Sequence, residues 1–230
     1  QRTPGITVAL FVAHGAVLHA QGMHSDIRFN YQDDRIAIQA HAAADAKIGV
    51  GDFALDGLFR QFVSNPGFAS EIDVGLGVNP ADKIVYNVLD DLLFWNGADF
   101  TAPDPSTQIR IENNGAPETI VDGSSGAQSG GFSPPANLIS QASASGDFHD
   151  HVDFFLEPNI APDPPPLPEI GAYGLMLSLA TDAVGIADSD PFLIVFNFGL
   201  DEDAFETAVD QFAELLAPGL LGDYDVNGLV

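Results

Sequence analysis

Short runs that alternate apolar and polar residues, each closed by a turn-forming stretch, limit more than any other feature what this chain can fold into. His24 to Tyr31 (HSDIRFNY) and Arg35 to His41 (RIAIQAH) place an apolar side chain at every second position, and the QDD between them forms turns readily, so a hairpin is predicted. Lys83 to Leu89 and Asp91 to Trp95 are further strands. Asn96-Gly97 follows, where a type I′ turn is expected because both central positions of that turn need positive φ. Thr107 to Asn113, Glu118 to Gly123, Asp147 to Glu157, Ala172 to Ala180 and Pro191 to Phe198 continue the series. Many short strands with frequent turn signals predict a mainly β fold, an antiparallel, jelly-roll-like β-sandwich.

Two stretches break the pattern and one segment has a different period. Gly123 to Pro135 is too rich in Gly, Ser and Pro to pack and is expected to be a mobile loop. Pro158 to Ile170 is expected to be a stiff, extended loop between strands, since its prolines donate no backbone hydrogen bond. Near the end, Phe205, Ala208, Val209, Phe212, Leu215 and Leu216 recur at helical spacing. Asp201 to Asp203 place negative charge at the helix N-terminus and Pro218-Gly219 stop it, so one amphipathic helix is predicted, capping an open end of the sandwich.

Across 230 residues, 46% are apolar and 17 are Phe, enough for one core that buries roughly 70% of the unfolded surface. A single β-sandwich domain is expected over residues 23–217. Seven Lys+Arg against 33 Asp+Glu give a net charge of −26. Phosphate backbones and anionic lipid surfaces are bound by neutralising their charge, so nucleic acid and anionic membranes are excluded as partners. Without Cys there is no disulfide, thiolate zinc site or cysteine nucleophile, and any metal must be held by His and carboxylates.

Arg2 precedes an apolar run from Ile6 to Ala20, which is short for a membrane span and suited to a signal-peptide core. Residues 1–22 are therefore expected to be a partial signal peptide, cleaved after Ala20 or after Gly22; a buried first strand or helix is the competing reading. No other segment is long and apolar enough to span a bilayer, so the product is expected outside the cell or at its surface, without an integral span.

Four of the six His lie beyond that segment, and alternation decides which can cooperate. His24 and Asp26 share a strand face opposite Ile27 and Phe29. On the later strand His149, His151 and Asp153 share a face opposite Phe148, Val152 and Phe154. With a two-residue turn after Gln32, Asp26 falls opposite His41 and His24 diagonal to it. Two polar patches result, His24/Asp26/His41 and His149/His151/Asp153. Two His at i and i+2 can chelate one ion if another strand supplies further ligands, and thiolate-free imidazole sites suit Zn²⁺ or Cu²⁺. The competing reading is a solvated sheet face on which His and Asp balance charge.

At the end of the sequence, GDYDVNGLV places Asp223, Asp225 and Asn227 at positions 1, 3 and 5 of a calcium loop, with Gly228 at the sharp turn of position 6. Residues 218–230 are thus a linker and a truncated loop, and Ca²⁺ is expected there only with the full repeat; an ordinary Asp/Asn/Gly turn is the alternative. No G-x-S-x-G elbow, H-E-x-x-H, P-loop or helix-opening G-x-G-x-x-G occurs.

MHSDIRFNYQDDRI, GFASEIDVGLGVNPADKIVYNVLDDLLFWNGADF, GDFHDHVDFFLEP and GAYGLMLSLATDAVGIADSDPFLIVFNFGLDEDAFETAV together resemble an exported protein family abundant in planctomycetes. The resemblance covers His24 to Leu216. More distantly, the first strand and the H-x-H strand resemble the actinobacterial surface-anchored protein domain and the zinc-regulated exported proteins of cyanobacteria. The resemblance implies His24, His149 and His151 as metal ligands, with His41 a looser counterpart. The tail is similar to the first half of a type I dockerin repeat, which implies a cell-surface protein as partner. The reading that follows is a non-enzymatic exported protein binding zinc through His24, His149 and His151, completed by Asp26, His41 or Asp153. Such binding should weaken below about pH 6 as imidazoles protonate. The alternatives are a surface structural or adhesion module with incidental histidines, and a hydrolase using a His-bound metal.

Overall fold

The computed structural model describes residues 26–39, 47–113, 118–132, 137–158 and 167–216. The strands within them are β1 (Ile27–Gln32), β2 (Arg35–Ile38), β3 (Ile48–Asp52), β4 (Phe62–Val63), β5 (Phe68–Ser70), β6 (Lys83–Val88), β7 (Leu93–Trp95), β8 (Phe100–Thr101), β9 (Thr107–Glu112), β10 (Thr119–Asp122), β11 (Leu138–Gln141), β12 (Phe148–Asp150), β13 (Asp153–Pro158), β14 (Gly171–Thr181) and β15 (Phe192–Phe198). One helix, α1 (Glu202–Leu215), follows. The expected signal segment, His24, His41, most of the proline loop and the calcium-loop residues Asp223, Asp225 and Asn227 lie outside the described residues.

The fold is mainly β, with sheets packed face to face as in a sandwich. One layer is a seven-stranded sheet in the order β11-β6-β14-β15-β3, with β7 and β8 joining beside β14. Strand β14 is long enough for one edge to serve two partners, β7 at Ala172–Gly174 and β6 at Leu177–Thr181. The opposing layer consists of two four-stranded sheets, β12-β5-β1-β2 and β10-β9-β13-β4. All three contribute to a single core. Phe29, Phe68 and Phe148 come from the first small sheet, Ile109, Phe154 and Leu156 from the second, and Tyr86, Leu175 and Phe196 from the large one. Contacts between the layers include Phe154 against Phe196, with ring centroids 4.8 Å apart, and Phe68 edge-on to Phe192 at 6.5 Å.

The hairpin of β1 and β2 has the expected register, Gln32 opposite Arg35, with Asp33 and Asp34 both at positive φ as a type I′ turn requires. Asn96-Gly97 does not form the two-residue turn expected of it. Trp95 pairs with Phe100 across a four-residue loop, because the Asn96 side chain accepts from the Ala98 and Asp99 amides and so closes the turn itself. Nor is the whole fold antiparallel: β1 pairs parallel with β5, and β15 with β3. Parallel neighbours need a long connection, and between β1 and β5 the chain visits the other two sheets. The Gly123 to Pro135 loop, expected to be mobile, is tied down at its start. Gly126 donates to Asp91 Oδ1, and Gln128 exchanges both backbone bonds with Val88.

The helix also departs from expectation. Asp201 caps it, accepting from the Ala204 amide at 2.9 Å, and Ala208 and Phe212 are buried as the spacing requires. It covers the outer face of the large sheet, however, rather than an open end. Ile48, Trp95, Ala172, Leu193 and Val195 form that second apolar face, and Phe212 lies over Gly174. A strand such as β15, buried on both faces, reads as a continuous apolar run, and only a third layer can cover its second side.

Candidate metal centre

The outward face of the β12-β5-β1-β2 sheet carries the chemistry. With Phe29, Phe68 and Phe148 turned into the core, their neighbours in each strand face out. Strand β5 lies between β1, where Arg28 pairs with Ala69, and β12, where His149 pairs with the same Ala69. Neighbouring strands are about 4.8 Å apart, so side chains from β1 and β12 are separated by roughly twice that and can meet only over a middle strand with little side chain of its own. Gly67 and Ala69 leave that space open. A Cβ placed on Gly67 would lie 2.6–2.8 Å from three atoms of the His151 ring, so the imidazole occupies the volume an alanine would need.

His149 and His151 do not share a strand, as the sequence suggested. The chain leaves the first small sheet after Asp150 and enters the second at Asp153, which heads β13 opposite Glu112. The Asp150 carboxylate accepts from the His151 amide at 2.8 Å, and buried Val152 pins the corner. This corner swings His151 back over Gly67, where Nδ1 donates to the Ser64 carbonyl at 2.7 Å. His149 Nε2 lies 3.1 Å from Asp26 Oδ2, and its Nδ1 lies 3.2 Å from Glu71 Oε1. The other Asp26 oxygen accepts from the Gly67 amide at 3.0 Å, which aims Oδ2 at the imidazole.

Ligand atoms of Asp26, His149 and His151 therefore lie within 4.8 Å of one another, a group that could hold a metal ion. Tetrahedral Zn²⁺ with bonds of about 2.0–2.1 Å separates its donors by roughly 3.3 Å, so the Asp26–His149 pair is already near that spacing. The structure draws one member from the first predicted patch and two from the second. Asp153 is not in the group. His24 and His41 lie outside the described residues. Sequence reasoning missed Glu71, Gly67 and the Ser64 carbonyl, since β5 is only three residues long and shows no alternation. No family model, curated protein or solved structure matches this chain.

Gly67→Ala should displace the His151 ring, and any zinc affinity of the group should fall at least tenfold with it. Gly67 does not have a positive φ, so alanine suits the backbone, but the methyl group must push the His151 ring off its Ser64 partner. Zinc titration against a competing chelator, alongside a melting curve of the metal-free variant, checks this. Unchanged affinity would show that the ring position does not matter.

Proposed function

We propose that this chain is an exported, non-enzymatic β-sandwich protein that binds a transition metal, zinc foremost and copper second, through Asp26, His149 and His151. The observation that carries the reading is the convergence of these three side chains, from the residue just before β1, from β12 and from the corner after it, over the outward face of Gly67 and Ala69, which carries no bulky side chain. His24, two residues before Asp26, and His41 are carried in the proposal as further donors. Export rests on the signal-like segment, and the likeness to zinc-regulated exported proteins points to the same metal. The His149 side chain is 45% exposed, which suits an ion taken up from and released to solvent. A hydrolase needs its metal in a cleft. Among the described residues, one cleft of about 410 Å³, beside Asp52, Leu55 and Asn197, shares no residue with the group.

One observation favours a second reading. His149 set between Asp26 and Glu71 is also what a plain surface ion pair looks like, and a structural or adhesion module attached through the dockerin-like tail would need no more than that.

Metal content separates the two. Elemental analysis of the chain, purified without a His tag, is expected to give about one zinc per chain. At a hundredfold excess over Kd, zinc should stabilise the fold by about 2.7 kcal/mol, a rise in melting temperature on the order of 5–10 °C that chelator reverses. No bound zinc and indifference to chelator would leave the adhesion reading.

A further inference from the structure

We infer that Glu71 and the Ser64 carbonyl are the outer supports of this centre, holding both imidazoles with Nδ1–H turned away from the ion, so that Nε2 of His149 and Nε2 of His151 are the metal-facing nitrogens. The inference rests on the metal-binding reading above and adds to it a positioning residue and the coordinating atom of each histidine.

For His151 the assignment follows from what the partner can do. A backbone carbonyl only accepts, so the 2.7 Å contact with Ser64 fixes the proton on Nδ1 and leaves the Nε2 lone pair available. His149 has a carboxylate at each nitrogen, Glu71 at Nδ1 and Asp26 at Nε2, and a neutral ring has one proton to share between them. The two carboxylates are not equivalent. Asp26 stands with His151 in the group of converging donors, whereas Glu71 approaches the ring from the other nitrogen. An ion that replaces the proton on Nε2 gains His151 and Asp26 as neighbours. An ion on Nδ1 would be turned away from both, since the two ring nitrogens diverge.

Glu71 is also held where a support must be. It follows directly on β5 and precedes a turn of 3₁₀ helix, Ile72–Val74. Its carbonyl accepts from the Val74 and Leu76 amides, and the Ile72 amide donates to Asp147 Oδ1 at 2.9 Å. The backbone around Glu71 is therefore fixed relative to the turn that leads into β12. A carboxylate accepting from the far N–H of a ligating histidine fixes the ring and raises its basicity, and losing such a partner costs roughly 10–100-fold in metal affinity. Three anchors then serve three donors, with Glu71 on His149, the Ser64 carbonyl on His151 and the Gly67 amide on Asp26.

The test uses the full chain and zinc, with Glu71→Ala and Glu71→Gln beside the wild type. Chelator competition gives Kd, elemental analysis gives stoichiometry, and long-range ¹⁵N–¹H spectra of the zinc-loaded wild type identify the metallated nitrogen. Glu71→Ala should weaken zinc by 10–100-fold at unchanged stoichiometry. Glu71→Gln should recover most of that loss, because its amide oxygen accepts the same hydrogen bond. The spectra should show zinc on Nε2 and a proton on Nδ1 in both rings. Zinc on Nδ1 of His149, full affinity in Glu71→Ala, or a loss in Glu71→Gln as large as in Glu71→Ala would each overturn the inference, the last by making Glu71 a ligand. These results would leave metal binding itself standing. A wild type that takes up no zinc overturns both.

Discussion

His149→Ala/His151→Ala is expected to take up no zinc and to lose every zinc-dependent rise in melting temperature, while its metal-free form melts within a few degrees of the wild type. Two of the three converging donors disappear, and Asp26 with the further donors proposed beside it, His24 and His41, should not suffice to hold the ion. The fold should tolerate the change because neither imidazole belongs to the core. His149 is exposed, and the residues that pin the strand and the corner, Phe148 and Val152, are untouched at 2% and 1% exposure. The main loss is the hydrogen bond from His151 to the Ser64 carbonyl, about 0.5–1.5 kcal/mol. Elemental analysis and calorimetry with and without zinc decide the matter. Zinc retained by the double variant would place the ion elsewhere, and a wild type whose melting never responds to zinc would sink the proposed function.

Raising the pH from 10 to 12 should unfold the protein, for a reason independent of the candidate metal centre. Burial pushes the Tyr86 hydroxyl up to about 12, only partly countered by its hydrogen bond to Thr119 at 2.9 Å. Tyr173 is raised chiefly by burial and further by the charges of Glu169 and Asp104. The half-buried Tyr31 is raised in the same direction by burial and by Asp82. An unfolded tyrosine releases its proton near pH 10, whereas these rings keep theirs, so above pH 10 the unfolded state binds fewer protons and stability falls as pH rises. The contribution is complete below pH 10 and is lost on the way to the folded-state value. Tyr86 alone removes on the order of 2 kcal/mol over two pH units, and Tyr173, equally inaccessible at 1% exposure, adds a loss of the same order. That is a large part of the 5–15 kcal/mol typical of a domain. Circular dichroism and tyrosinate absorbance should change together in one step between pH 10 and 12. Ionisation of the buried tyrosines near pH 10 with the spectrum of the fold intact would contradict this account.

Where a segment is long enough to show its period, the sequence was a good guide. The β1–β2 register, the outward placement of Asp26 and His149, and the buried stripe of α1 follow from side-chain alternation and helical spacing, which are local. The strands that build the site's middle were not legible. Strand β5 has three residues and β4 two, too few for a pattern, and Gly67 with Ala69 leave no signal beyond being small. Glu71, one of many acidic residues in a chain of charge −26, could not be distinguished from those that merely face water.

What the sequence determined by itself is therefore the set of faces: which side chains of each strand go inward, which point to solvent, and that imidazoles and carboxylates sit among the latter. Only the tertiary structure decided which outward faces meet. Asp26 reaches His149 because β5 packs parallel to β1 and antiparallel to β12, and His151 joins them because the chain changes sheets at that residue. Side-chain direction is set residue by residue by backbone sterics, whereas strand adjacency comes from burying one shared core among segments distant in the chain, so no short stretch of sequence carries it.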